Sequence, residues 1–174
     1  VEYHDHQSHT IWVKFPVVDA GPGAKEVGPL GEPFSVLIWT TTPWTIPQNR
    51  AVAFNPLLSY ALYEVADAPA DNWAKTGDRY LMSEQLAADV FAKAKVEDYK
   101  LVARIGSGAI ETLTLAHPLR GVDAGNGEWD YDVPMLPGDH VTADAGTGFV
   151  HTAPSHGADD YILGVKHGLP MTYN

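Results

Sequence analysis

Phe34-Ser35-Val36-Leu37-Ile38-Trp39-Thr40 is a continuous run of apolar and β-forming residues that leads straight into Thr41-Thr42-Pro43-Trp44-Thr45-Ile46-Pro47-Gln48-Asn49-Arg50. A short run with no polar alternation reads as a central strand buried on both faces, and the two prolines after it end regular structure by removing backbone donors and fixing φ. Upstream, Ile11, Val13 and Phe15 alternate with Thr10, Trp12 and Lys14, the period of a half-buried strand, which Pro16 is expected to stop. Residues 20–33, rich in Gly and Pro, read as a loop.

Downstream, Ala51–Phe54 and Ser59–Val65 read as two more strands. Ser83 is placed to cap a helix through Lys95, with Leu86, Val90 and Phe91 on its apolar face and lysines in its last turn. Leu101–Ile105 and Ile110–Leu115 flank Gly106-Ser107-Gly108, which suggests a hairpin. Trp129, Tyr131 and Val133 alternate up to Pro134, Phe149–His151 is a short strand after Gly146-Thr147-Gly148, and a last helix is expected over 158–167, ended by Gly168. The expected class is α+β and β-rich, with at least eight short strands and two helices: a barrel-like closed sheet carrying peripheral helices.

The 174 residues suit one domain, residues 1–174, with 45% apolar side chains to form its core. The chain opens on Val1 rather than Met and has extended-looking ends, which suggests a domain excised from a larger protein. No run approaches the ~20 apolar residues that span a bilayer, so a soluble, cytoplasmic protein without a membrane partner is expected. The absence of cysteine excludes disulfides and thiolate metal sites. The net charge is −11, divided as −5 and −6 between the halves 1–87 and 88–174. That balance argues against autonomous, nonspecific nucleic-acid binding, which rests on cations neutralising phosphates. The local cluster Lys93, Lys95, Lys100 and Arg104 reads as a solvated face, with a phosphate contact as its functional alternative.

Two segments are richer in chemistry than a scaffold needs. In 39–50 the threonine hydroxyls can donate and accept hydrogen bonds while their methyls offer apolar contact to a small ligand; the plainer reading is a strand end and its turn. In 146–161, Asp159 and Asp160 fall in the first turn of the expected helix, where the macrodipole favours a carboxylate that could pair with an ammonium group; the plainer reading is that acids there serve only the dipole. His151 and His156 lack the spacing of a helical zinc motif, Pro154 interrupts the stretch between them, there is no cysteine ligand, and no metal is assigned. No serine stands in a nucleophile elbow, and neither Gly-x-Gly completes a phosphate-binding fingerprint.

Taken together, Trp39–Ala51 and Gly146–Pro154, continued by Gly157 and Asp159-Asp160-Tyr161, resemble the editing (connective-peptide) domain of the isoleucyl-tRNA synthetases, class I aminoacyl-tRNA synthetases. Val1-Glu2-Tyr3, Phe15-Pro16-Val17, His117-Pro118-Leu119 and Pro137-Gly138-Asp139-His140-Val141 fit the same family, so the resemblance covers nearly the whole chain. Valyl and leucyl editing domains typically read Thr-Thr-Arg-Pro where this chain has Thr41-Thr42-Pro43-Trp44.

The resemblance implies a domain inserted into a synthetase catalytic domain through two extended connections, acting in cis with the rest of that enzyme. It implies hydrolysis of the ester in valyl-tRNA(Ile), with misactivated valyl-adenylate as a second candidate substrate. No cofactor is implied in this domain; ATP and magnesium would belong to the parent enzyme's synthetic site. By the same resemblance Asp160, His151 and Thr42 carry the reaction: Asp160 would hold the α-amino group of the valine moiety, and His151 would border a side-chain pocket too small for isoleucine. Thr40, Thr41, Trp44 and Thr45 would line that pocket and the acylated 3′ end, and Asn49 would help place the ester or water. Two alternatives remain: a noncatalytic aminoacyl-binding module, and a metal-dependent hydrolase using His151, His156 and Asp160.

Overall fold

The computed structural model describes residues 10–20, 33–154 and 166–168. Nine strands form one mixed sheet: β1 (Ile11–Asp19), β2 (Ser35–Thr40), β3 (Ala51–Phe54), β4 (Tyr60–Asp67), β5 (Arg79–Ser83), β6 (Asp98–Ile105), β7 (Thr114–Ala116), β8 (Asp132–Pro137) and β9 (Phe149–Thr152). Among the described residues they are accompanied by the α-helices α1 (Glu84–Lys93) and α2 (Ser107–Glu111). The strand order is β6-β4-β5-β2-β1-β7-β8-β3-β9, antiparallel except for the β2–β5 and β3–β8 pairs.

The run that opened the sequence reading explains the layering. As a strand exposes alternate residues on opposite faces, Val36 and Ile38 of β2 enter one core with Phe15, Phe54, Leu62, Leu81 and Phe149, while Leu37 enters the other with Tyr63, Tyr80 and Met82. The first core is covered by α2 through Ala109 and Ile110, the second by α1 through Leu86, Ala87, Val90 and Phe91. Ser83 stands at the N-cap position of α1, as expected, and Lys93 lies in its last turn. Phe91 stacks on Tyr99 at 4.2 Å and meets Tyr63 edge-on at 5.7 Å.

The expectation of a closed, barrel-like sheet is corrected: among the described residues the order is linear, with β6 and β9 at its edges. The turn before β9 does curl back to β5, but the contact is one backbone bond, Ser83 N–H to Thr147 O at 2.8 Å. Gly148, at φ +84°, then turns the chain toward β3, where β9 pairs through Ala51↔Thr152 to Phe54↔Phe149. A Cβ on Gly148 would lie 2.6 Å from the Ser83 Cβ, so only glycine permits this approach. The other edge, β6, carries the exposed cations Lys100 and Arg104, a common device against edge pairing. Lys100 pairs with Glu64 and Arg104 with Glu84, each at 2.8 Å, and Lys93 with Asp89 at 2.9 Å, as in a solvated charged face.

Four local expectations also change. β1 continues through Pro16 to Asp19, because its pairing with β2 ends at Pro16 and that with β7 begins at Val17, so the missing donor falls between ladders. The 101–115 hairpin is absent: β6 pairs with β4, β7 pairs with β1 and β8, and burial of Ala109 and Ile110 coils the Gly-Ser-Gly turn into α2. β8 begins at Asp132 rather than at Trp129. β5, Arg79–Ser83, is a strand to which the sequence reading assigned no element. The 20–33 loop, most of the last helix and both chain ends fall largely outside the described residues; Gly168 takes φ +67°, as a helix-ending glycine does.

Candidate functional site

The stiff segment after β2 is a 3-10 helix, Pro43–Gln48, with Thr42 at its N-cap position and Asn49 at its C-cap position. Pro43 suits a first turn, whose donors are free in any case, and Thr45 N–H to Thr42 O (3.0 Å) and Asn49 N–H to Ile46 O (2.9 Å) close the turns. Arg50 N–H then donates to Thr152 O at 2.9 Å, and β3 pairs with β9 so that Val52 lies opposite His151. Residues about 100 apart in sequence are thus brought together by one ladder.

The side chains stand in three depths. Thr41, Thr42 and Trp44 face solvent, Trp44 being 69% exposed. Beneath them Thr40, Thr45 and His151 are buried, and Asn49 is enclosed at 0% exposure. One chain of hydrogen bonds joins the layers. Thr42 N–H donates to Thr40 Oγ1 at 3.1 Å; Thr42 Oγ1 lies 3.3 Å from Thr40 Oγ1 and 3.4 Å from Thr45 Oγ1. Thr45 Oγ1 is 2.7 Å from His151 Nε2, and Asn49 Nδ2 is 2.7 Å from His151 Nδ1.

Acceptor-only groups at both ends orient this chain. Asn49 Nδ2 lies 2.8 Å from Ala51 O, a carbonyl that can only accept, so the amide nitrogen is on that side and donates to His151 Nδ1 as well. His151 then carries its proton on Nε2 and donates it to Thr45 Oγ1, whose own proton goes to Thr42 O at 2.8 Å. In this arrangement both imidazole nitrogens are occupied. The ring is therefore built as a fixed wall, and neither nitrogen offers a free lone pair for general-base work.

Among the residues expected at the site, Thr40, Thr42, Thr45, Asn49 and His151 form this one cluster. Thr41 and Trp44 stand on its solvent side, and Asn49 lies behind His151 rather than at a surface where an ester could reach it. Asp159, Asp160 and His156 lie outside the described residues. Among the described residues no group of three or more His, Asp and Glu could hold a metal ion.

Behind the 3-10 helix stand three rings to which the sequence reading gave no part in the site. His117 is buried, with Nε2 donating to Ile46 O at 3.0 Å and Nδ1 accepting from Leu119 N–H at 3.0 Å. Burial pushes its pKa down to about 4, against the raising effect of the Ile46 bond and assisted by Arg50 and Arg120. Trp129 and Tyr131 flank it, at ring distances of 6.1 and 5.3 Å. Their only advance signal was an aromatic alternation, read as part of a strand.

No family model matches the chain. It aligns at 53% identity over 175 residues with the isoleucine–tRNA ligase of Caulobacter vibrioides, covering 97% of this chain and 16% of that protein. With the isoleucine–tRNA ligase of Bradyrhizobium diazoefficiens it shares 51% over 161 residues, covering 92% and 15%. The chain belongs to the isoleucyl-tRNA synthetase family. It spans 15–16% of the length of these curated relatives. The crystal structure of the P. falciparum cytosolic leucyl-tRNA synthetase editing domain superposes with a TM-score of 0.63 at 13% identity, over 87% of this chain and 63% of that one. The fold is accordingly that of a synthetase editing domain, and the open nine-stranded sheet is how this isoleucyl-family chain forms it.

Proposed function

We propose that this editing domain hydrolyses valyl-tRNA(Ile), and that the wall formed by Thr45 and His151 refuses isoleucine by size. The observation that carries the reading is the cluster itself: two distant segments converge so that Thr40, Thr42, Thr45 and His151 make one hydrogen-bonded surface under the exposed Thr41 and Trp44.

The physical need for such a surface is plain. One methylene in an apolar pocket is worth only about 1–3 kcal/mol, the isoleucine–valine pair being the standard illustration, so a synthetic site admits valine too often. A second, smaller site excludes the larger side chain by overlap, which requires walls that do not yield. A His151 ring held at both nitrogens meets that requirement.

An aminoacyl ester is already activated. Water attacks the carbonyl carbon, the bond to the ribose oxygen breaks, and the departing oxygen takes the proton that water releases; the products are valine and free tRNA. The protein's part is to position water, stabilise the oxyanion and fix the ammonium. The Thr42 hydroxyl, on the solvent side of the chain, is the donor suited to water or oxyanion, and Asp160 supplies the charge for the α-ammonium group. The vicinal ribose hydroxyl of the substrate relays the water's proton, accepting it while passing its own to the departing oxygen. Valyl-adenylate, whose carbonyl is attacked in the same way, is the second substrate, and the compartment is the cytoplasm.

The test uses the intact synthetase, charged valyl-tRNA(Ile) and isoleucyl-tRNA(Ile), and the variants Asp160→Ala and His151→Ala. Asp160→Ala should lower valyl-tRNA deacylation by a factor of 100 or more, and His151→Ala should begin to deacylate isoleucyl-tRNA. Equal hydrolysis by the parent and Asp160→Ala removes that residue from the site, and unchanged selectivity removes His151 from the wall. A parent enzyme that binds but never hydrolyses valyl-tRNA supports the binding module, while chelator-sensitive activity restored by zinc supports a metal hydrolase.

A further inference from the structure

The 3-10 helix that carries the site is poor in bonds of its own. Its two prolines lack donors, and its last carbonyls have no successor turn. Pro47 O would look to the N–H of Arg50, but that group is committed to Thr152 O in the neighbouring strand. Asn49 O stands where the chain has already become extended on its way into β3.

Both of these carbonyls, and Ile46 O, which already accepts the Asn49 N–H, are met by ring donors from one distant stretch. Trp129 Nε1–H donates to Pro47 O at 3.0 Å, Tyr131 Oη–H donates to Asn49 O, and His117 Nε2–H donates to Ile46 O at 3.0 Å. The rings themselves are held in place. A Cβ on Gly125 would lie 2.3 Å from the Trp129 ring, so the 123–127 turn, with Asn126 at φ +54° and Gly127 at φ +84°, is shaped around that indole. The Arg50 guanidinium lies 4.4 Å from the Tyr131 ring centre. A hydrophobic core needs such rings for their area alone; here three polar tips converge on one helix of six residues.

We infer that His117, Trp129 and Tyr131 are positioning residues of the editing reaction: a three-point clamp that fixes the distance of the Thr45–His151 wall from the solvent-side threonines, and with it the size of amino acid admitted. The inference rests on the function proposed above. The clamp grips the helix by backbone, behind the substrate face, so it sets the shape of the pocket without touching what occupies it. Trp129 and Tyr131 are its adjustable points: Tyr131→Phe removes a donor and keeps the ring, and Trp129→Phe removes a donor and keeps a smaller ring.

The decisive variant is Trp129→Phe with Tyr131→Phe in the intact synthetase. These changes keep an aromatic ring at each position, a smaller one at 129, and remove two donors, leaving Pro47 O and Asn49 O without them; the single Tyr131→Phe variant controls for the lost indole area. The expected result is a roughly tenfold fall in the ratio of valyl-tRNA to isoleucyl-tRNA deacylation, carried by kcat, with KM within twofold and aminoacylation unchanged. Amide hydrogen exchange should rise at Thr45 and Asn49, whose N–H groups close the 3-10 turns. The single Tyr131→Phe variant should fall between parent and double variant. A double variant that unfolds at a lower temperature but keeps kcat and selectivity at 25 °C overturns the clamp, as does unchanged exchange across 43–50. A parent enzyme inert toward valyl-tRNA overturns the proposed reaction instead, and the exchange measurement then judges the clamp by itself.

Discussion

His117 shows how much one residue's surroundings decide. Its neutral ring is locked by a donated and an accepted hydrogen bond, and protonating Nδ1 would set a proton against the Leu119 N–H. The folded pKa is about 4 where an unfolded histidine has 6.5. Between these values the unfolded chain binds a proton that the folded chain refuses. His117 therefore contributes stability that is fully present above about pH 6.5 and is lost as pH falls toward 4, at no more than about 1.4 kcal/mol per pH unit. Denaturant titrations at pH 7, 6 and 5 should show the parent losing stability across this window more steeply than His117→Gln. Parallel slopes would mean that another group carries the dependence.

At the same scale, the residues of the site divide into those legible from type and those legible only from contact. Thr40, Thr42, Thr45 and His151 stand out in the sequence because hydroxyls and an imidazole sit beside prolines and glycines. The expected role of Asn49, at the ester or water, does not match its depth: it is wholly enclosed and spends its amide on Ala51 and His151. Nothing in the letters Gln48-Asn49-Arg50 marks which of the three turns inward.

Among the elements, α1 was readable to within two residues because its apolar positions recur on one face and its ends carry Ser83 and Lys93. Its hold on the sheet is tested at Phe91, buried between Tyr63 and Tyr99. Phe91→Ala should destabilise the protein by about 3–5 kcal/mol, the range for deleting a core phenylalanine, seen as a lower denaturant midpoint with the slope unchanged. An effect under 1 kcal/mol would show that α1 docks weakly. Elements without a period of their own were harder to read. α2 is five residues long and β7 three, and each takes its form from what it covers or pairs with. The Gly-Ser-Gly turn looked like a hairpin because its flanking strands are adjacent in sequence; the ladder gave them to different partners.

For the whole molecule, the charge of −11 and the proposed tRNA substrate are compatible if the rest of the synthetase grips the tRNA and this domain receives only the acylated end. Of the four cations that stood out, Lys93, Lys95, Lys100 and Arg104, three are paired, with Asp89, Glu64 and Glu84, which leaves the cluster poorly suited to gather phosphates. The 174-residue chain alone should bind tRNA weakly, with little change in affinity between 50 and 200 mM salt, because few counterions are released. Tight binding with a steep salt dependence, measured by filter retention, would contradict this.

What the sequence determined by itself was local and compositional: the buried β2 run, the capped α1, the proline-stiffened threonine segment and the β9 strand with its histidine, each legible because periodicity, turn chemistry and capping act over a few residues. Its long, specific motifs also carried the family. Only the tertiary structure decided that the sheet stays open, that β3 sets Val52 opposite His151, and that rings at 117, 129 and 131 reach the carbonyls of a helix some 70 to 80 residues earlier. Strand partners and buried hydrogen-bond partners are chosen by competition among all the segments of the chain at once, and no window of the sequence contains that competition.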